Sequence, residues 1–122
     1  MASSYARRRA VGSFGERLAV HELGRLAMVV LDRNWRCREG ELDIVARQGD
    51  DLVVCEVKTR TSDRFCTPVE AITPAKAARL RRLGGLWAAE HSVSPGRIRV
   101  DVVAVMLPRH GSPQVVHFEG LA

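Results

Sequence analysis

No apolar run in this 122-residue chain exceeds six residues, Leu26 to Leu31 being one of that length. A membrane-spanning helix needs roughly 20. Arg7, Arg8 and Arg9 lie near the N-terminus, but no apolar stretch of signal-peptide length follows them. A cytoplasmic protein with no membrane partner is therefore expected. Cysteine is scarce: Cys37, Cys55 and Cys66 are odd in number and widely spaced, with no Cys-x-x-Cys. That argues against a disulfide framework or a zinc knuckle. Cys55 sits inside an apolar strand pattern and reads as a buried, reduced thiol. Gly12-Ser13-Phe14-Gly15 lacks the Gly-x-Ser-x-Gly of a nucleophile elbow, and no Walker-type glycine loop occurs. The four histidines, at 21, 91, 110 and 117, show no metal-ligand spacing.

What is present is globular: 46% apolar and 27% charged residues, in a length that suits one domain spanning 1–122. The net charge is +5 and 17 of the 19 basic residues are arginine. Arginine binds phosphate through a planar two-pronged donor set that lysine lacks, so the chain is compatible with a polyanionic partner. Gly12 to Ala27 reads as a helix with Ser13 as a cap, preceded by residues 1–11 as a flexible basic arm. Met28 to Leu31, Glu41 to Arg47 and Asp51 to Thr59 read as strands, with Arg36 to Gly40 and Arg60 to Thr67 as loops. Thr73-Pro74 pairs a capping hydroxyl with proline at the first helical position, which predicts a helix to about His91. Arg97 to Leu107 and Gln114 to Phe118 read as strands. The fold class is α/β in the order αβββαβ.

Two of these strands are joined by Gln48-Gly49-Asp50-Asp51. Gly-Asp is a two-residue hairpin signal. In that register Asp43 falls opposite Glu56, and Glu41 opposite Lys58. Alternation then puts Glu41, Asp43, Val45, Val54, Glu56 and Lys58 on one face. Directly opposed carboxylates repel and weaken a sheet. A shared proton, Lys58 or a divalent cation would offset that. Mg²⁺ takes oxygen ligands, commonly one or two carboxylates plus substrate phosphate, and a carboxylate pair beside a lysine suits phosphodiester hydrolysis. The bland alternative stays open on these residues: solvated charges on the open face of a sheet, with Glu41 and Lys58 as an ordinary cross-strand pair.

Asp43, then Glu56-Val57-Lys58, behind a helix bearing Glu16, resembles the PD-(D/E)XK nuclease superfamily. Nearly the whole chain resembles the YraN-like family of small bacterial proteins. The matching residues are Gly12-x-x-Gly15-Glu16, Arg33-Asn34-Trp35, Gly40-Glu41-Leu42-Asp43-Ile44, Glu56-Val57-Lys58-x-Arg60, Pro68-x-Glu70-Ala71, Lys76-x-x-Arg79-Leu80 and Asp101-Val102-Val103. Leu42 stands where the superfamily motif has proline, a position that is not a ligand. The resemblance implies a restriction-endonuclease-like core, a mixed central sheet flanked by helices, closest to archaeal Holliday-junction resolvases. It also implies Mg²⁺ or Mn²⁺ held by Asp43, Glu56 and the main-chain carbonyl of Val57, with Lys58 as catalytic lysine and Glu16 as an additional metal or water ligand. The activity so implied is a metal-dependent DNA endonuclease acting on branched or non-duplex DNA in repair or recombination. A homodimer is implied by analogy with resolvases. The rival is a non-catalytic nucleic-acid-binding or adaptor module on the same fold.

Arg60 follows the motif and is a candidate phosphate contact, against simple solvation. Lys76, Arg79 and Arg82 recur at helical spacing and are candidates for tracking a nucleic-acid backbone, against a solvated helix face. For Glu16 the alternative to a site role is favourable charge near a helix N-terminus. Asp101, among apolar strand neighbours, is expected to be structural, and Trp35 and Trp87 are expected in the core.

Overall fold

The computed structural model describes residues 3–61 and 67–121. Eight elements follow one another: α1 (Ser4–Arg25), β1 (Val29–Cys37), β2 (Gly40–Gln48), β3 (Asp51–Arg60), α2 (Pro68–Ala71), α3 (Pro74–Glu90), β4 (Arg97–Met106) and β5 (Gln114–Phe118). The strands form one mixed sheet in the order β1-β2-β3-β4-β5. Only β3 and β4 run parallel, because α2 and α3 lie between them and carry the chain back across the sheet.

The helix limits follow from capping chemistry. Thr73 Oγ1 accepts from the Lys76 N–H, and Pro74 opens α3 as the dipeptide predicts. α1 begins earlier than expected. Ser3, not Ser13, is its cap, with Oγ accepting from the Ala6 N–H at 3.1 Å. Residues 4–11 are therefore helical rather than a flexible arm; alanine and arginine are both strong helix formers. The four-residue α2 was not expected. Thr67 and Glu70 satisfy each other's backbone N–H groups in a capping box around it. The expected polar loop Arg60 to Thr67 falls partly outside the described residues, and so does Cys66.

The first hairpin is tighter than expected: β1 stays paired down to Cys37↔Gly40, which leaves only Arg38 and Glu39 in the turn. In the second, Gln48 pairs with Asp51 around Gly49-Asp50, and Gly49 takes φ +60, the left-handed region glycine enters without cost.

Two apolar layers sandwich the sheet. Ala19 and Leu23 of α1 pack with Ile44, Ala46, Val53, Cys55, Val103 and Val105. Ala77, Leu80, Leu83 and Trp87 of α3 pack with Val45, Leu52, Val54, Val100 and Val102 on the other face. Trp87 and Cys55 are buried as expected, and Cys37 and Cys55 are free thiols. Burial pushes the Cys55 thiol well above its ordinary range, so it stays protonated and inert. β4 is buried continuously from Arg99 to Met106, as befits a strand covered on both faces.

Candidate active site

The hairpin register holds from Gln48↔Asp51 to Ile44↔Cys55, and the ladder ends there. Asp43 and Glu56 are thus not a ladder pair, as the extrapolated register would have them. Instead the Asp43 carboxylate enters the gap between β2 and β3. Its Oδ2 accepts a hydrogen bond from the Val57 N–H at 2.9 Å. The carboxylate replaces the backbone carbonyl that a continued ladder would supply, so a buried donor is not left unmet.

The register of β1 on β2 shifts between Val30 and Asp32, ahead of the residues that border the site. Asn34 sits at φ 54, a conformation asparagine tolerates better than most residues. On either side of it the strand changes which face it serves. Asp32 accepts from Trp87 Nε1 on the α3 side, while Arg33 and Asn34 both reach Glu16 on α1. Trp35 then packs back against the α3 core.

α1 closes one wall. A methyl group added at Gly15 would lie 2.0 Å from Thr59 Oγ1, so only glycine allows helix and strand to approach this closely. That contact sets the neighbouring Glu16 over the end of β3. Glu16 Oε1 accepts from Asn34 Nδ2 at 2.9 Å and pairs with the Arg33 guanidinium at 3.0 Å. Because α1 starts at Ser4, Glu16 lies mid-helix, and favourable helix-end charge is not its explanation.

An open cleft of about 510 Å³ results, lined by Glu16, Asn34, Glu41, Asp43, Glu56, Val57, Lys58 and Lys76 among others. The predicted carboxylates and lysine are therefore brought together, but their individual ties differ from expectation. Glu41 pairs with Arg36 at 2.9 Å, not with Lys58. Lys58 Nζ donates to the main-chain carbonyls of Glu70 at 2.7 Å and Ala71 at 3.1 Å, holding the end of α2 against β3. Glu56 Oε1 accepts from Lys76 Nζ at 3.1 Å. Arg60 also lines the cleft, whereas Arg79 and Arg82 are exposed further along α3 and do not. Asn34 and Thr59 are cleft residues given no role from sequence. The signal for Asn34 was its place in Arg33-Asn34-Trp35; Thr59 carried none.

Electrostatics single out Asp43. Burial, followed by the charge of Glu56, pushes its pKa up from 3.8 to about 6, against the opposing Val57 N–H. Glu16 and Glu41 add smaller contributions in the same upward direction. Ionised Asp43 is therefore disfavoured, first by burial and then by Glu56, a condition that a cation beside it relieves. Among the described residues, no group of three His, Cys, Asp or Glu side chains is placed to hold a metal ion. The donors that do fit a hard cation are two carboxylates, Asp43 and Glu56, a complement usual for Mg²⁺ completed by substrate phosphate. A residue's N–H and C=O point to the same side of a strand. The Val57 N–H meets Asp43 in the gap, so the Val57 carbonyl faces that gap too.

Asp101 lies outside the cleft. It is fully buried, bidentate to Arg99 at 2.9 and 3.0 Å, and bonded to His117 Nε2 at 2.7 Å and to the Gly120 N–H at 3.0 Å. Burial works against its charge, but the bonds from His117, Arg99 and Gly120 outweigh it and hold its pKa below the ordinary range. Its role is structural, and His117 is one of its partners.

No helix among the described residues is long and apolar enough to cross a membrane. Comparison with known proteins agrees with the motif set along the chain. A "UPF0102 protein" of Kineococcus radiotolerans is 59% identical over 114 residues, covering 93% of each chain. One from Streptomyces coelicolor is 54% identical over 117 residues, covering 94% of this chain and 90% of its own. One from Acidothermus cellulolyticus is 46% identical and covers 98% of each. The family model described as "Uncharacterised protein family UPF0102" matches residues 15–105, a span that includes every residue of the cleft named above. The chain belongs to the UPF0102 family.

Proposed function

We propose that this protein is a metal-dependent DNA endonuclease of the PD-(D/E)XK superfamily, with a restriction-endonuclease-like core, acting in the cytoplasm on branched or non-duplex DNA, as a homodimer where two equivalent strands are to be cut. The observation that carries the reading is Asp43. A half-buried carboxylate with its pKa raised to about 6 beside a second carboxylate is costly for stability and useful for binding a hard cation.

Asp43, Glu56 and the Val57 carbonyl would hold Mg²⁺ or Mn²⁺. When bound, the metal supplies Lewis-acid charge to the scissile phosphate. The chain's own groups do the rest. Asp43 is fixed by the Val57 N–H, and Glu56 by Lys76. Water adds to phosphorus, the bond to the leaving strand breaks, and the leaving oxygen takes up a proton. Lys58, once its ammonium leaves the α2 carbonyls, would orient that water and offset charge on the phosphate. Glu16 acts through Arg33 and Asn34, which hold the opposite wall of the cleft.

The test is Mn²⁺ calorimetry on the wild type and Glu56→Gln, followed by cleavage of branched and single-stranded DNA. The wild type should bind Mn²⁺ and cut, and Glu56→Gln and Lys58→Ala should each lose cleavage while remaining folded. Substantial cleavage by either variant would sink the assignment.

A second reading, a non-catalytic nucleic-acid-binding or adaptor module, is favoured by one observation. Both Lys58 and Glu56 are engaged within the protein, with the α2 carbonyls and Lys76. It requires DNA binding that is indifferent to metal and to Asp43→Asn.

A further inference from the structure

A second hollow of about 460 Å³ adjoins the cleft. It is lined by Arg7, Arg8, Val11, Gly12, Thr59 and Thr61. Gly12 and Thr59 line both spaces, so the two lie on either side of the same helix–strand contact. The walls differ in chemistry. The cleft presents carboxylates around Asp43. The hollow is lined by two arginines and two threonines beside Val11 and Gly12, and among the described residues no carboxylate lines it. Among the described residues, none of the acidic side chains pairs with Arg7 or Arg8.

The fold produces this arrangement through the two features sequence reading did not anticipate. α1 starts at Ser4, which makes residues 4–11 a rigid continuation of the helix that carries Glu16. Gly15 presses that helix onto Thr59. Arg8, Gly12 and Glu16 recur at four-residue spacing and so share one helix face. Arg8 lies two turns from Glu16, roughly 12 Å along the axis at 1.5 Å per residue. Between them the helix surface is open at Gly12, where a Cβ would meet no atom within 4 Å.

We infer that the hollow formed by Arg7, Arg8, Thr59 and Thr61 is a phosphate-binding subsite that holds the sugar–phosphate backbone of a single DNA strand a few nucleotides from the carboxylate cleft. The inference rests on the nuclease reading and adds to it a place and a direction for the substrate. The strand leaves the cleft over Gly12 and runs along the N-terminal turns of α1. Arg7 and Arg8 precede residues 15–105, over which the family model matches.

The test uses the full chain and a fluorescein-labelled single-stranded DNA of 30 nucleotides or so, with affinity measured across a salt series in chelator. Arg7→Gln combined with Arg8→Gln should weaken binding at least about tenfold. It should also reduce the salt slope by about 1.4, which is 0.7 for each single-strand phosphate contact. Arg9→Gln combined with Arg17→Gln removes the same charge from the same helix outside the hollow, and should change affinity less than threefold. Gly12→Asp, which the open space accommodates, should weaken binding with both arginines in place. Mn²⁺ calorimetry should give the wild-type result for Arg7→Gln/Arg8→Gln. Equal losses from the two double variants, or wild-type affinity and slope in Arg7→Gln/Arg8→Gln, would overturn the subsite and leave the endonuclease reading standing. No DNA binding by the wild type would overturn both.

Discussion

Replacing Asp43 by asparagine should make this protein more stable at neutral pH, and the gain should vanish in acid. The Asp43 pKa is raised from 3.8 to about 6 by burial and by the Glu56 charge. The folded state therefore holds a proton that the unfolded chain releases about two pH units lower. The protonated carboxyl is fully tolerated below pH 4, and stability falls as pH rises through 6. At 1.36 kcal/mol per unit, ionised Asp43 costs the folded state about 2–3 kcal/mol at pH 7.5. Asparagine removes the charge and keeps an oxygen to accept from the Val57 N–H. Urea unfolding of both proteins in chelator should therefore favour Asp43→Asn by about 2–3 kcal/mol at pH 7.5 and by nothing at pH 4. In thermal melts that corresponds to a shift on the order of 10 °C. Excess Mn²⁺ should reverse the order, since binding at about 1,000 times the dissociation constant adds about 4.1 kcal/mol to the wild type only. An Asp43→Asn protein that is less stable at pH 7.5, or whose gain is the same at both pH values, would refute the reasoning.

Two further outcomes test the walls of the site and its foundation. Gly15→Ala should destabilise by about 2 kcal/mol despite alanine's higher helix propensity, because its methyl would overlap Thr59 Oγ1. Thr59→Ala should rescue part of that loss in the double variant, and simple additivity in a double-mutant cycle would contradict the close contact. Asp101→Asn should cost about 1.5–3 kcal/mol at pH 7, since it removes the bidentate buried carboxylate of Arg99, which keeps only Glu119 at 3.2 Å and Asp51 at 3.6 Å as anions. The lowered Asp101 pKa places its contribution above the ordinary carboxylate range, and it is lost as pH falls through the folded value. The deficit of the variant should accordingly shrink below pH 4, and chemical unfolding across pH 3–7 would show whether it does.

How far the sequence reaches can be judged residue by residue. The Gly49-Asp50 hairpin and its register down to Ile44↔Cys55 follow from turn chemistry and period-2 alternation, and β5 has the limits expected for it. The start of α3 follows from Thr73-Pro74. The N-terminal segment was misjudged because three successive arginines look like a solvated tail. Arginine's helix propensity and the Ser3 cap make them three successive helical residues instead. α2 was missed because four residues carry no periodicity to detect.

The sequence by itself determined which chemistry the chain can hold: two carboxylates and a lysine placed by alternation near one hairpin, and an arginine-rich balance of charge. These are local facts, written in spacing of a few residues. Only the tertiary structure decided what those groups touch. The β2–β3 ladder ends at Ile44↔Cys55, and beyond it the Val57 N–H takes the Asp43 carboxylate. Lys58 finds carbonyls 12 and 13 residues away, Glu16 finds Arg33 and Asn34 across the sheet edge, and Asp101 finds His117 from the neighbouring strand. Each partnership depends on how closely separate elements can approach. The shape of a side chain as small as Gly15 sets that distance, and no periodicity along the chain encodes it.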